Sequence, residues 1–244
     1  MCRFKSVKKL FCLCSAGFFA MLSLIAVIFA ADIAVASADS YVANVAIFVA
    51  VDGNDSDGSS SGINSSGHAF IAVTNISMRT LTVGKKEIGF QGGVTLGTWG
   101  NRDPQGLWYN LESYTVNHLN GYQNRVSIDE NVTLSQLQTI NTYINTHESW
   151  SALSNCSTFA SGVWNSFSDT KVSCGVINTP TNLKKSIMQY NYSTNKDVVV
   201  NMSIGYYINT KFYLNNPLAT KNSLDWQTSF SFDDLSVLEK CEAA

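Results

Sequence analysis

The chain reads as an α+β protein, an antiparallel sheet (an open meander or a partly closed barrel) packed against a few helices. Three observations lead there. Short β-branched and aromatic segments separated by Gly, Asn, Ser and Lys turns follow one another from His68 to Tyr114. The apolar period then lengthens from two residues to three or four in three later segments. The chain is also rich in Asn, Ser and Thr and holds only 3 prolines, which suits a β-containing extracellular protein better than a helical bundle.

At the start, Arg3, Lys5, Lys8 and Lys9 precede an uncharged apolar run from Leu10 to Ala31, and Ala36-Ser37-Ala38 follows with small residues at signal-peptidase spacing. This predicts an export signal over 1–38, cleaved before Asp39. The run is about 20 residues long and is able to span a bilayer, so an uncleaved anchor is the alternative, and only then does the protein sit on a membrane. A secreted or cell-surface location follows in either case.

Residues 39–194 are expected to form one domain, with 195–244 a C-terminal extension packed on it. Without the four basic residues and Asp32, the 16 Lys+Arg and 18 Asp+Glu of the whole chain become 12 and 17, a net charge of about −5 with no basic stripe. Nucleic acid is excluded as a natural partner. Of the 6 cysteines, Cys2, Cys12 and Cys14 leave with the signal. Three remain and one must be odd; the simplest arrangement outside the cell joins Cys174 to Cys241 and leaves Cys156 free, the other being three reduced, buried thiols.

"YVANVAIFVAV" (Tyr41 to Val51) is apolar enough for a buried strand, and "DGNDSDGSSSGINSSG" after it is a loop. Asp52, Asn54 and Ser56 have alternating oxygens, but Asp57 stands where a calcium loop needs glycine and no closing Glu follows. A solvated loop is the better reading; neither metal nor cofactor is expected, and a calcium-dependent adhesion site is the weakest of three functional ideas.

The strands "HAFIAVTN", "RTLTVG", "EIGFQ", "VTLGTW" and "WYNLESY" come next. In "TLSQLQTINTYINTH", Leu134, Leu137, Ile140 and Ile144 make a helical stripe, and Thr133 with Gln136 forms a capping box. A second helix is predicted from about Asn155 to Phe167, and a third after Thr179-Pro180, with proline at the first helical position. "VVVNMSIGYYI" and "KFYL" read as a hairpin, followed by a poorly patterned tail.

Cys156 falls in the first turn of the second helix. Unpaired backbone N–H groups and the helix dipole stabilise a thiolate there, and with the Asn155 side chain the same N–H groups suit an oxyanion. Cys156, Phe159, Ala160, Val163 and Phe167 also share one stripe, so a small buried core residue is the plain alternative. A thiol nucleophile needs a base, and there are 3 histidines. His68 opens an apolar strand beside a loop and is the best placed; His118 sits among turn residues, and His147 closes a helix where its charge suits the dipole.

A Gly-His-apolar strand, further strands, and then a helix beginning "NCSTFASGVW" resembles the circularly permuted branch of the NlpC/P60 papain-like superfamily, which includes the lecithin retinol acyltransferase group. The resemblance covers about 42 to 167. It implies a permuted papain-like fold in which Cys156 is the nucleophile, His68 the base and Phe159 the helix anchor. The family's third residue, a polar group after the histidine strand, has three candidates here: Thr82 at about the expected distance, and Glu87 and Glu112, chemically better but further on. Trp99, Trp108 and Tyr109, together with Tyr114, cluster among glycines and either floor a substrate groove or plug the sheet.

The leading expectation is a secreted thiol amidase or peptidase acting on cell-wall peptide, ahead of a lipid acyl ester or amide. Transfer to an amine or hydroxyl makes the same residues an acyltransferase. The competing reading is a non-catalytic surface or binding module on the same scaffold.

Overall fold

The computed structural model describes residues 40–51 and 67–215. The export segment, the Asp52–Asp57 loop, Cys241 and the tail beyond 215 lie outside the described residues.

The longest strand, β1 (Tyr41–Val51), is apolar on both faces because it is central in the sheet. It pairs antiparallel with β2 (Gly67–Asn75) and, on its other side, with β7 (Val126–Thr133). Beyond β2 come β5 (Gly93–Trp99) and β6 (Gly106–Tyr109), and a small separate hairpin, β3 (Leu81–Val83) with β4 (Lys86–Ile88), interrupts the meander. The hairpin of β9 (Gly205–Ile208) and β10 (Lys211–Leu214) joins at Tyr109↔Gly205, and β8 (Ser193–Thr194) closes the other side against β7. The result is an open antiparallel sheet of 8 strands, order β10-β9-β6-β5-β2-β1-β7-β8. Among the described residues its outer strands are β10 and β8, so the sheet does not close into a barrel.

Helices occupy both faces. One face carries Val45, Ile47, Val49, Ile71, Val73 and Leu96, which meet the apolar stripes of α2 (Leu134–Thr146), α3 (Cys156–Phe167) and α4 (Pro180–Ile187) in one core. The opposite face carries Phe48, Phe70, Trp99 and Trp108, and is covered by α1 (Leu111–His118) and by residues such as Val198 and Ile204. The capping box of Thr133 and Gln136 and the Pro180 start of α4 are both present.

Two elements depart from the sequence reading. "WYNLESY" is not one strand: Asn110 takes a left-handed φ of 64°, which ends β6, and α1 starts at once. Strand β7 carries Asp129, Glu130 and Asn131, which break the apolar alternation that would announce it. Its burial comes from lying beside β1.

Ile140 is fully buried between α2 and the sheet. Ile140→Ala should cost about 2–5 kcal/mol in urea unfolding while leaving the reactivity of Cys156 unchanged. A shift in that reactivity would mean the core and the thiol are coupled.

Candidate functional site

The site forms where two neighbouring strands part. β1 accompanies β2 from Asn75 back to Gly67, whereas β5 pairs with β2 only from Thr74↔Gly93 to Ile71↔Leu96 and then stays with β6 alone. The stretch Gly67–Phe70 therefore has a strand on one side only. The N-terminus of α3 meets this stretch, and the Ala69 N–H donates to the Cys156 sulfur.

Asn155 is the N-cap of α3: its side-chain oxygen accepts from the N–H of Ser157 at 3.0 Å and of Thr158 at 3.3 Å. That cap leaves the N–H of Cys156 itself unclaimed by Asn155. The Asn155 amide group donates to the Asn178 carbonyl at 2.6 Å, so both ends of this side chain help fix the helix start.

His68 is the second residue of β2, 6% exposed, and hydrogen-bonds Cys156. Its Nε2 donates to Glu112 Oε1 at 3.0 Å, which leaves Nδ1 as the nitrogen for the thiol. Glu112, in the first turn of α1, has no exposed surface. Its carboxylate also accepts from Trp99 Nε1 at 3.0 Å and from the Thr95 hydroxyl at 2.9 Å. The Trp99 ring lies against the His68 imidazole, centroids 4.1 Å apart, with Tyr122 at 5.6 Å.

These contacts set the proton affinities. Burial pulls the imidazole of His68 down, but hydrogen bonding and attraction to Cys156, followed by the same from Glu112, outweigh it and raise the pKa from 6.5 to about 9. Burial pushes the Cys156 thiol up; the hydrogen bond and charge of His68 and the N–H of Ala69 overcome that and leave it below its ordinary value. Both shifts favour a thiolate beside an imidazolium. Such a pair is a nucleophile already deprotonated and an acid already loaded.

The structure thus brings Cys156, His68 and Glu112 together, and places the other candidates elsewhere. Thr82 is exposed on β3, its carbonyl taking a hydrogen bond from Asn141; Glu87 is on β4. Neither orients the imidazole, because Glu112 occupies that place. Trp108 and Tyr109, at 2% and 1% exposure, do not floor a groove. Trp108 packs against Trp99, Leu111, Tyr114 and Ile204, and Tyr109 lies in the main core with its hydroxyl accepting from the Lys85 N–H. Trp99 is at the site but is also buried, so it supports Glu112 instead of facing a substrate. His118 is exposed at the end of α1 and stacks on Tyr114, and His147 caps α2 with its ring nitrogen on the Tyr143 carbonyl. The Cys174 thiol is buried and donates to Asn178 Oδ1 at 3.3 Å.

Three residues of the site escape notice in the sequence. Gly97 lies beneath the His68–Glu112 pair: a Cβ there would collide with Glu112 Oε1 and come within 2.7 Å of His68 Nε2. Thr95 and Asn110 hold α1 to β5, Thr95 N–H donating to Asn110 Oδ1 at 3.1 Å, Asn110 N–H to the Thr95 carbonyl at 2.9 Å, and Ser113 N–H to the Thr95 hydroxyl. Only the double glycine-like spacing of "TLGTWG" hints at a close approach, and nothing local links it to residue 112.

No protein-family model, no curated protein and no solved structure matches this chain. Among the described residues no group of three or more His, Cys, Asp and Glu is arranged to hold a metal ion, and no helix is long and apolar enough to cross a membrane.

Gly97→Ala should separate His68 from Glu112. By NMR, the imidazole titration should fall below about 9 as the Glu112 contribution is lost and that of Cys156 remains, while the protein stays folded. An unchanged titration would show that the pair tolerates the methyl group. Glu112→Ala, which removes one partner of a buried pair, should cost about 3–5 kcal/mol of stability in urea unfolding.

Proposed function

We propose that this chain is a cysteine hydrolase of the permuted papain-like kind, exported from the cell, with Cys156 as nucleophile, His68 as acid and base, and Glu112 as the group that orients the imidazole. One observation carries the reading: a cysteine in the first turn of a helix is hydrogen-bonded to a histidine whose other nitrogen is held by a buried carboxylate. Order along the chain supports the permuted form, since the histidine strand precedes the cysteine helix.

The Cys156 thiolate attacks the carbonyl carbon of an amide or ester. His68 passes its proton to the departing amine or alcohol as the carbon–nitrogen or carbon–oxygen bond breaks, leaving a thioester on Cys156. Neutral His68 then takes a proton from water, hydroxide attacks the thioester, and the acid leaves as the carbon–sulfur bond breaks and the Cys156 thiolate returns beside the imidazolium. In this mechanism the N–H of Cys156, at the positive end of α3, receives the oxyanion. The first substrate class to test is cell-wall peptide, ahead of lipid acyl esters and amides; an amine or hydroxyl acceptor in place of water gives an acyltransferase. No step needs a cofactor.

The burial of Trp99, Trp108 and Tyr109, and the 8% exposure of Cys156, favour a second reading, a non-catalytic surface module on the same scaffold.

Incubation with cell-wall muropeptides, reading newly freed amino groups, separates the two. Cys156→Ala should lose activity about 10³-fold or more, and His68→Ala nearly as much. The rate should rise with pH through a midpoint below 9.0 as Cys156 ionises, and decline near pH 9 as His68 loses its proton. Equal rates for wild type and Cys156→Ala would leave only the binding module. Iodoacetamide labelling reports the thiol independently: fast at Cys156 near neutral pH and slow in His68→Ala.

A further inference from the structure

The connection between α3 and α4 touches both halves of the candidate site. Its residue Asn178 makes three contacts. The Asn178 carbonyl accepts from the Asn155 side-chain amide at 2.6 Å. Its side-chain amide donates to the Leu153 carbonyl at 2.9 Å, and its side-chain oxygen accepts from the Cys174 thiol at 3.3 Å. Leu153 and Asn155 are the residues that lead into Cys156, and Asn155 is the cap on which the N-terminal geometry of α3 depends.

The same connection also reaches the histidine strand. Thr179, next to Asn178, caps α4 by accepting from Asn182 N–H, and its own N–H donates to the Cys174 carbonyl at 3.2 Å. Pro180, the first residue of α4, packs on the backbone of Gly67, where an added Cβ would come within 3.1 Å of the Pro180 Cβ. Gly67 is the residue before His68. One short stretch, Asn178 to Pro180, therefore sets the helix that carries the thiol against the strand that carries the imidazole.

We propose that Asn178 is a positioning residue for the Cys156–His68 pair, acting through Asn155 and Leu153 on the N-terminus of α3. The physical need is plain. The Cys156 thiolate depends on the hydrogen bond and charge of His68, on the Ala69 N–H, on the neighbouring Ser157 hydroxyl and on the direction of a helix end, and each weakens if the first turn drifts by about 1 Å. A cap made by a side chain from its own helix fixes that turn only as well as the cap residue is itself held. Asn178 supplies the hold. The inference extends the catalytic reading above but is tested on thiol ionisation, so the two fail separately.

The experiment is the pH dependence of Cys156 alkylation by iodoacetamide in the folded full chain, with peptide mapping to separate Cys156 from Cys174. Asn178→Ala should move the midpoint upward by about one pH unit and slow alkylation at neutral pH about tenfold. Ser186→Ala is the control: Ser186 accepts from the Ser173 N–H at 3.0 Å and holds the same connection without reaching residues 153–155, so its profile should match the wild type. A wild-type profile in Asn178→Ala, or an equal shift in Ser186→Ala, overturns the inference. If Asn178→Ala does not fold, Asn155→Ser decides, because serine keeps a capping oxygen but does not reach the Asn178 carbonyl. It should give the same upward shift, and no shift overturns the proposal. A wild-type Cys156 that alkylates no faster than an ordinary thiol would instead sink the catalytic reading.

Discussion

A carboxyl group with no exposed surface needs hydrogen-bond partners for its oxygens, and Glu112 is the point on which the candidate site turns. Its three donors come from two strands: His68 on β2, Trp99 and Thr95 on β5. Each has to arrive with its N–H or O–H aimed at the same two oxygens. That requirement explains why Gly97 carries no side chain, why α1 follows β6 without a linker, and why Asn110 and Thr95 exchange backbone and side-chain hydrogen bonds. Removing one donor would leave the charge short in a region of low dielectric, where the shortage is most costly.

The second constraint is the parting of β2 from β5 after Ile71↔Leu96. In a fully paired sheet the Ala69 N–H would have met a strand carbonyl, or been lost in the ladder, and no side chain could reach it. With β5 turned toward β6, the thiol of Cys156 takes that donor. The helix end, the Ala69 N–H and the imidazole all favour negative sulfur, and together they outweigh the burial that opposes it. Glu112 in turn favours the positive imidazole. The charges form a chain, Cys156 to His68 to Glu112, in which each member is stabilised by the next.

How much of this was legible depended on whether the signal was local. The cap at Asn155, the stripe of Phe159, Ala160 and Val163, the capping box at Thr133 and the proline start of α4 are patterns within a few residues, and each element stands where the pattern put it. Cys156 and His68 were nominated by residue type, by helix position and by resemblance. In the sequence Glu112 is one of several polar residues after the histidine strand, and Trp108 and Tyr109 read equally well as groove or as plug. Aromatic spacing does not reveal which face of a sheet receives a covering segment, and here residues near Ile204 cover it.

By itself, then, the sequence determined the α+β class, the antiparallel strands, the start of the helix that carries Cys156 and the histidine worth pairing with it, because periodicity, caps and turn residues act over one or two turns of chain. Tertiary structure decided the rest. It decided that α1 begins at Leu111, that the sheet stays open, that β2 and β5 diverge beside Ala69, and that Glu112, 44 residues from His68, is the carboxylate on its ring. Those outcomes depend on which surfaces meet and which buried donors must be satisfied, and that balance is struck between segments far apart in the chain.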